Sequence, residues 1–440
     1  MAGNTCNRDD TGIICHFLVI NSLDIDSHLK EIYPQVDLNT QKQRYLHLLE
    51  KFKHHFKYKP QIFASVPGRT EIMGNHTDHN QGNVLAAAIH FDTIAAASQS
   101  DDSIITFYSE GYAEPFKVDI NQVDPRSTEY ETSQDLIRGI AFKFRYLGYN
   151  IGGFDVAMTS QVLIGSGLSS SASVEVLIGT ILNHIYNSGS IQPETLAAIC
   201  QYAENVYFSK PCGLMDQMTC AIGGLIAIDF IDPFKPTVRK VKFNLDDVGY
   251  KLIVINTGDS HSDLTDEYAG VPVEMKLVAG YFGQDVCRYL SMSDVIRHIP
   301  QLRKKLGDRP FLRAMHFNED SERVTQQVTA LESGEFHRFL DLVNDSGNSS
   351  FKWLQNVYST KDPGEQGVSL ALALSEYFMK GRKKPAAWRV HGGRFADTIQ
   401  GVLSDKDVQS YCTCINNIYG ENAALVLTIR EVGACHFHLS

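Results

Sequence analysis

Three short segments of this chain carry residue types that could do chemistry together. The first, Pro67-Gly68-Arg69-Thr70-Glu71-Ile72-Met73-Gly74-Asn75-His76-Thr77-Asp78-His79-Asn80, gathers an arginine, a histidine and an aspartate around glycines. It follows an alternating apolar stretch, Ile62, Ala64 and Val66. Glycine lets a backbone turn sharply and approach a ligand, and polar groups gathered at such a turn suit a small polar substrate. The second segment is Gly165-Ser166-Gly167-Leu168-Ser169-Ser170-Ser171-Ala172, and the third is Gly213-Leu214-Met215-Asp216-Gln217, with Glu204 upstream. Phosphoryl transfer to a hydroxyl needs a metal ion on the phosphates, a positive group for developing charge, and a carboxylate beside the attacking oxygen. The three segments offer a candidate for each part.

The second segment stands between a predicted strand, Gly153 to Gln161, and a predicted helix, Ser169 to Tyr186. A helix N-terminus presents unpaired N–H groups and the positive end of its dipole, so it holds an anion well. Phosphates would lie against Gly165, Ser166, Gly167, Leu168, Ser169, Ser170 and Ser171, whose hydroxyls add donors and a possible Mg²⁺ ligand. The pattern lacks the lysine of a Walker loop and the third glycine of a dinucleotide fingerprint. By itself it can also be read as a glycine-serine turn capping a buried helix.

Asp216 falls at the start of a predicted helix through Met218, Ala221 and Ile222, where the dipole and Arg69, if close, would keep it ionised. An ionised aspartate is a weak base toward a sugar hydroxyl, so it would orient that hydroxyl and accept its proton late. Glu204 lies on an apolar-striped helix that starts at Pro193. It reads either as a surface glutamate or as a ligand for Mg²⁺, a hard cation held by oxygens.

The elements that must position these groups alternate between strand and helix. Asp92 to Ser98, Ile104 to Tyr108, Lys251 to Asn256 and Ala423 to Ile429 read as strands. Asp266 to Phe282, Asn318 to Leu331 and Gly334 to Asn344 read as helices. A chain of 440 residues fits two or three domains. The expected organisation is an N-terminal extension (1–60, helical around Gln41 to Phe56), a first lobe (61–235) and a second lobe (236–440), of α+β class. The proline-rich stretch Asp232 to Pro236 would connect the lobes.

Composition narrows the function classes. A net charge of -11 argues against nucleic-acid binding, and the basic cluster Lys51, Lys53, His54, His55, Lys57 and Lys59 reads as a solvated helix face. Nine scattered cysteines without zinc-site spacing suit reduced thiols, and no apolar run is long enough for a membrane helix. A cytoplasmic monomer acting on small molecules is expected.

Taken together, the three segments resemble the GHMP kinase superfamily, and the first resembles the sugar signature of its galactokinase family, roughly Gly-Arg-x-Asn-x-Ile-Gly-Glu-His-Thr-Asp-Tyr-Asn. The matches run in order over about residues 66–400. The resemblance implies two α+β lobes with the active site between them, and ATP-dependent phosphorylation of galactose at its anomeric hydroxyl. It implies Arg69 and Asp216 as the catalytic pair, and Asn75, His76, Thr77, Asp78 and Tyr268 as sugar contacts. ATP would lie on 165–171 and Mg²⁺ on Ser171 and Glu204. Glu267-Tyr268, after His261-Ser262, resembles the segment whose tyrosine touches the sugar.

Three departures define alternatives. Asn75 stands where the signature has glutamate, which removes a negative charge and admits galacturonic acid or a galactosamine as substrate. His79 replaces a tyrosine. In the glycine-rich third motif, Val390 to Thr398, Arg394 and Asp397 stand where glycine is expected, which admits a non-catalytic sugar and ATP sensor.

Overall fold

The alternating stretch at Ile62, Ala64 and Val66 opens a strand, β1 (Ile62–Met73), that is buried along its whole length in the computed structural model of the protein. The structure describes residues 22–438 except 127–131, 164, 210–211, 259–263 and 393–397. Ala64 and Val66 face one hydrophobic core and Phe63 faces another. Both sides are covered because two helices of the N-terminal segment, α1 (Ser22–Ile32) and α2 (Leu38–Phe56), pack on the second face. Only α2 is legible in the sequence; Asp37 caps it by accepting from the N–H groups of Asn39 and Thr40.

The first sheet continues through β2 (Asn83–Gln99), β3 (Ile104–Ser109), β4 (Phe116–Asp119), β5 (Phe154–Ser160), β6 (Leu225–Asp229) and β7 (Thr237–Lys240). A second sheet is built from β8 (Tyr250–Asn256), β9 (Ala387–Val390), β10 (Thr398–Ser404) and β11 (Ala424–Leu427). The last strand, β12 (Cys435–His438), returns to the first sheet and pairs with β1. The order is β12-β1-β2-β5-β3-β4, with β6 on β2 and β7 on β6, against β11-β8-β10-β9 in the second sheet. β2 is long enough to pair with β5 through Thr93–Gln99 and with β6 through Asn83–Ala87. Asp232 to Pro236 is therefore the turn of the β6–β7 hairpin inside the first sheet, and not the connection between lobes that its prolines suggest. The chain crosses to the second sheet between Lys240 and Tyr250.

Helices α3 (Ser133–Tyr146), α4 (Ser170–Asn187), α5 (Pro193–Val206) and α6 (Met215–Ile222) cover the other face of the first sheet. Next come α7 (Thr265–Tyr281), α8 (Met292–Leu306), α9 (Arg309–Glu332) and α10 (Phe336–Ser349), then α11 (Gly367–Met379) and α12 (Asp405–Tyr419) against the second sheet. α9 starts well before Asn318, because Pro310 is tolerated in a first helical turn. One core cluster joins Ile72, Met73 and Leu85 of the first sheet to Leu252 and Val254 of the second through Val324 and Phe339. The architecture is α+β, and among the described residues no helix is long and apolar enough to cross a membrane.

A buried charge ties the ends of the chain to this frame. Asp92 on β2 accepts hydrogen bonds from Ser65 (2.6 Å), Arg44 (2.9 Å), Arg430 (2.9 Å) and Tyr33. Burial alone would raise its pKa, but the two guanidinium groups outweigh that and hold the carboxyl below its ordinary range.

Candidate active site

Arg69 lies within β1, so the first part of the signature is strand and not turn. The register of β1 on β2 shifts between Pro67 and Arg69. At that point Gly68 admits the phosphate-loop segment: a Cβ there would stand 2.8 Å from the Leu168 carbonyl oxygen. The Arg69 N–H donates to that same oxygen at 3.1 Å. The turn comes later, at Gly74 and His76, both with φ in the left-handed region (97° and 60°).

The Arg69 guanidinium meets Asp216 in a two-pronged pair, Nε to Oδ1 and Nη2 to Oδ2, both at 2.7 Å. Burial disfavours charge on Arg69, but the Asp216 carboxylate more than offsets this and raises its pKa. The two partners differ in exposure: the arginine side chain is 7% accessible and the aspartate 31%. Asp216 sits in the first turn of α6, where the helix dipole favours its negative charge.

The phosphate loop is built onto this pair. Arg69 Nη1 donates to the Gly167 carbonyl at 2.5 Å, and the Ser169 hydroxyl donates to Asp216 Oδ2 at 2.5 Å. Ser169 has φ 60° and occupies the N-cap position of α4, yet its side chain makes no cap hydrogen bond. Its hydroxyl is spent on Asp216 and does not cap α4; a helix N-terminus whose N-cap side chain is engaged elsewhere keeps N–H groups for an anion. Gly165 and Gly167 also have positive φ. A Cβ on Gly167 would stand 3.0 Å from His391 Nδ1, so glycine is needed for loop and histidine to pack. His391 is fully buried, and burial, then the Arg69 charge, hold its pKa well below the ordinary value. It is therefore a neutral prop, 2.8 Å from the Thr70 hydroxyl. Its place in the third motif offers no signal of this role in the sequence.

Between the loop and the later turn lies a cleft lined by Arg69, Glu71, His76, Asp78, His79, Cys212, Gly213, Met215, Asp216 and Tyr268. His76, Asp78 and Tyr268 are thus brought together as expected from the sequence. His79 joins them, its Nε2 lying 3.0 Å from the Tyr268 hydroxyl. Burial, then Asp78 and Asp216, push the Tyr268 phenol well above its ordinary pKa, so it stays protonated. A Cβ on Gly213 would fall 1.7 Å from Asp78 Oδ2, which explains the glycine before Asp216.

Asn75 and Thr77 are placed elsewhere. Thr77 is fully buried, and its hydroxyl lies 2.8 Å from the Gly74 carbonyl and 2.7 Å from the Asn83 carbonyl, where it holds the turn. Asn75 is also fully buried. Its Nδ2 donates to Glu71 Oε1 (3.0 Å) and the Gly392 carbonyl (3.1 Å), and its Oδ1 accepts from Asn356 (2.5 Å). Its backbone is held by Asp320 and His316 of α9. Asn75 therefore ties the signature to the second half of the chain and does not line the cleft.

Beside Asp78 and Asp216, the cleft wall carries a third carboxylate, Glu71, held by Arg389 Nη2 at 2.6 Å. Sequence reasoning passes over it, although the signal is present. Position 71 carries glutamate where the signature has asparagine, and position 75 carries asparagine where it has glutamate. The two side chains touch, so the exchange keeps one carboxylate and one amide in a bonded pair.

Glu204 is buried, not a surface glutamate. Its Oε1 lies 3.4 Å from the Ser171 hydroxyl, and its Oε2 accepts from Gln217 at 2.8 Å. The predicted metal ligands are therefore neighbours, and both offer hard oxygen donors of the kind Mg²⁺ takes. Arg394, Asp397, His261 and Ser262 lie outside the described residues.

Comparison with known proteins gives the family and the fold. Residues 50–99 match the galactokinase galactose-binding signature, and residues 135–224 match the GHMP kinases N terminal domain. The chain is 31% identical to the galactokinase of Streptomyces coelicolor over 306 residues, covering 69% of this chain and 77% of that one. Human galactokinase is 28% identical over 390 residues, 87% of this chain and 94% of its own. Among solved structures, Lactococcus lactis galactokinase complexed with galactose superposes with a TM-score of 0.74 at 22% identity, covering 89% of this chain and 99% of that one. Methanococcus jannaschii mevalonate kinase superposes at 0.56 and 12% identity, over 84% of this chain and 98% of that one. Likenesses at such identities speak for the fold, and the curated relatives speak for the family. This chain belongs to the galactokinase family of the GHMP kinase superfamily.

Proposed function

We propose that this protein transfers the γ-phosphoryl group of ATP to the anomeric hydroxyl of galactose, giving galactose 1-phosphate and ADP. The observation that carries the proposal is the two-pronged Arg69–Asp216 pair between the phosphate loop and a polar cleft. The sugar oxygen forms the new O–P bond as the bond to the ADP oxygen breaks, and ADP leaves with that electron pair. Asp216 orients the attacking hydroxyl and takes its proton late, because Arg69 beside it disfavours earlier protonation. Arg69 also offers positive charge where negative charge develops on the transferring group. The uncapped N-terminus of α4 and the loop 165–171 hold the ATP phosphates. Ser171 and Glu204 would hold Mg²⁺, which supplies neutralisation of phosphate charge when bound. His76, Asp78, His79 and Tyr268 receive the sugar hydroxyls.

Galactose is favoured over a uronate because Asn75 is buried away from the cleft and the carboxylates of Glu71, Asp78 and Asp216 line it, which disfavours a negative charge on the sugar. The seven described cysteines are all unpaired, in keeping with a reducing compartment such as the cytoplasm.

The test is ADP release with Mg²⁺-ATP against galactose, glucose, galactosamine and galacturonate, with Asp216→Ala as control. Release with galactose that is lost in the variant is the expected outcome. Release with galacturonate alone would transfer the reading to a uronate kinase. Tight binding of galactose and ATP without release would leave a sugar and ATP sensor.

A further inference from the structure

Three histidines meet on the side of the first sheet, at the far end of α4 from the phosphate loop. His184 lies in the last turn of α4, and His436 and His438 lie two apart on β12. Residues two apart on a strand point to the same face, so one strand can present both imidazoles to a third ring. Each of the three offers a ring nitrogen, and these nitrogens all lie within 4.8 Å of one another. His184 Nε2 and His438 Nε2 are 3.1 Å apart, and the His184 and His436 rings stack with centroids at 3.2 Å.

His184 Nδ1 is buried with no hydrogen-bond partner, while its Nε2 is within hydrogen-bond distance of His438 Nε2; an ion between those two nitrogens would take both lone pairs in place of that N–H···N contact. Two nitrogens bound at ~2.0–2.1 Å to one tetrahedral zinc ion stand roughly 3.3 Å apart, close to the observed Nε2–Nε2 separation.

We propose that His184, His436 and His438 form a binding site for a divalent late first-row metal ion, zinc foremost, that clips β12 to α4. Imidazole suits such ions, and three protein nitrogens leave a fourth position for water. The consequence is structural. β12 is the returning strand that pairs with β1, with Ala64 opposite His436 and Ile62 opposite His438, so the ion would lock the end of the chain onto the strand that carries Arg69. His184 is about 20 Å along α4 from Ser170, so the clip acts on stability and not on phosphoryl transfer.

The experiment is calorimetric titration of Zn²⁺ into protein stripped with a chelator, together with thermal unfolding with and without Zn²⁺ and the visible spectrum of the Co²⁺ form. One equivalent should bind, with an intense tetrahedral Co²⁺ spectrum. The unfolding midpoint should rise by about 3 °C at a hundredfold excess over Kd. His438→Gln, at an exposed position, and the double variant His436→Gln/His438→Gln should lose the midpoint shift and the spectrum while turnover stays unchanged. Absence of zinc binding in the stripped protein, or binding and midpoint shift equal in wild type and His438→Gln, would overturn the proposal.

Discussion

Asp92 and Asp216 are both aspartates paired with arginine, and they are built differently. Asp92 is fully buried and accepts from two arginines, a serine and a tyrosine, so its oxygens are engaged from within the fold. Asp216 accepts from Arg69 and Ser169, and about a third of its side chain remains accessible on the cleft. The first arrangement spends its charge on holding α1, α2, β1, β2 and the C-terminal segment together. The second keeps part of a paired carboxylate at the surface of the cleft. If the proposed function holds, a charge that serves folding is enclosed, and one that serves chemistry is oriented at a surface a substrate can reach.

The sharpest way to break that contrast is Asp216→Asn. The amide keeps the shape but cannot take a proton, so turnover should fall roughly 10²–10⁴-fold, and the unfolding midpoint should fall less than for Asp92→Asn, because one arginine instead of two loses its carboxylate and the site is partly accessible. Steady-state ADP release and thermal unfolding on the same sample check both halves. A midpoint loss as large as the activity loss would mean that Asp216 is structural.

Asp92→Asn should do the reverse. It leaves Arg44 and Arg430 without their carboxylate, and breaking a buried pair in this way costs about 3–5 kcal/mol. Urea unfolding should show that loss, while turnover per folded molecule stays near wild type. A third variant pair sharpens the comparison at the cleft wall. Asn75→Glu alone puts a second carboxylate against Glu71 and should cost about 3 kcal/mol. Adding Glu71→Asn restores one carboxylate and one amide in contact and should recover about 1–3 kcal/mol as coupling in a double-mutant cycle. Strict additivity would show that the two positions do not act as a pair.

The smallest effect is on pH dependence. His90 accepts from the Thr428 N–H near Asp92, and burial pushes its pKa down to about 4; His391 beside Arg69 is lowered for the same first reason. For both, the folded pKa lies below the unfolded one, so the unfolded chain binds more protons as pH falls below about 6.5. Stability should hold above that pH and decline between there and about pH 4. In metal-free protein, His90→Gln should make the decline in urea midpoint between pH 7 and 5.5 shallower, and an unchanged slope would exclude His90 as a contributor.

Legibility differed between elements for physical reasons. α4 and α5 are readable because an apolar stripe at helical spacing follows a clear start, a serine run in one and Pro193 in the other. α1 is short and gains its place only by packing on Phe63 and Phe437. In β2 the part after Asp92 is read as a strand and the part before it is not, although each holds three alanines; the full length is set by the two strands, β5 and β6, that share its edge. Asp232 to Pro236 shows the opposite error: its prolines mark a turn, but a turn motif does not say whether the chain then stays in its sheet or leaves it.

By itself the sequence determined the chemistry on offer: a phosphate loop, an arginine, an aspartate and a glutamate in the order of a GHMP kinase. Those are local patterns, set by what a helix N-terminus, a glycine or a carboxylate can do within a few residues. Whether position 71 or position 75 of the signature reaches the cleft was decided only by tertiary structure. Asn75 and Glu71 sit four apart in one signature, yet contacts from Asn356, Gly392 and α9 bury the first, and the second lines the cleft. The same holds for His391 under the phosphate loop and for the three histidines of α4 and β12. Their partners are distant in the chain, and only closure of the sheets brings them within bonding distance.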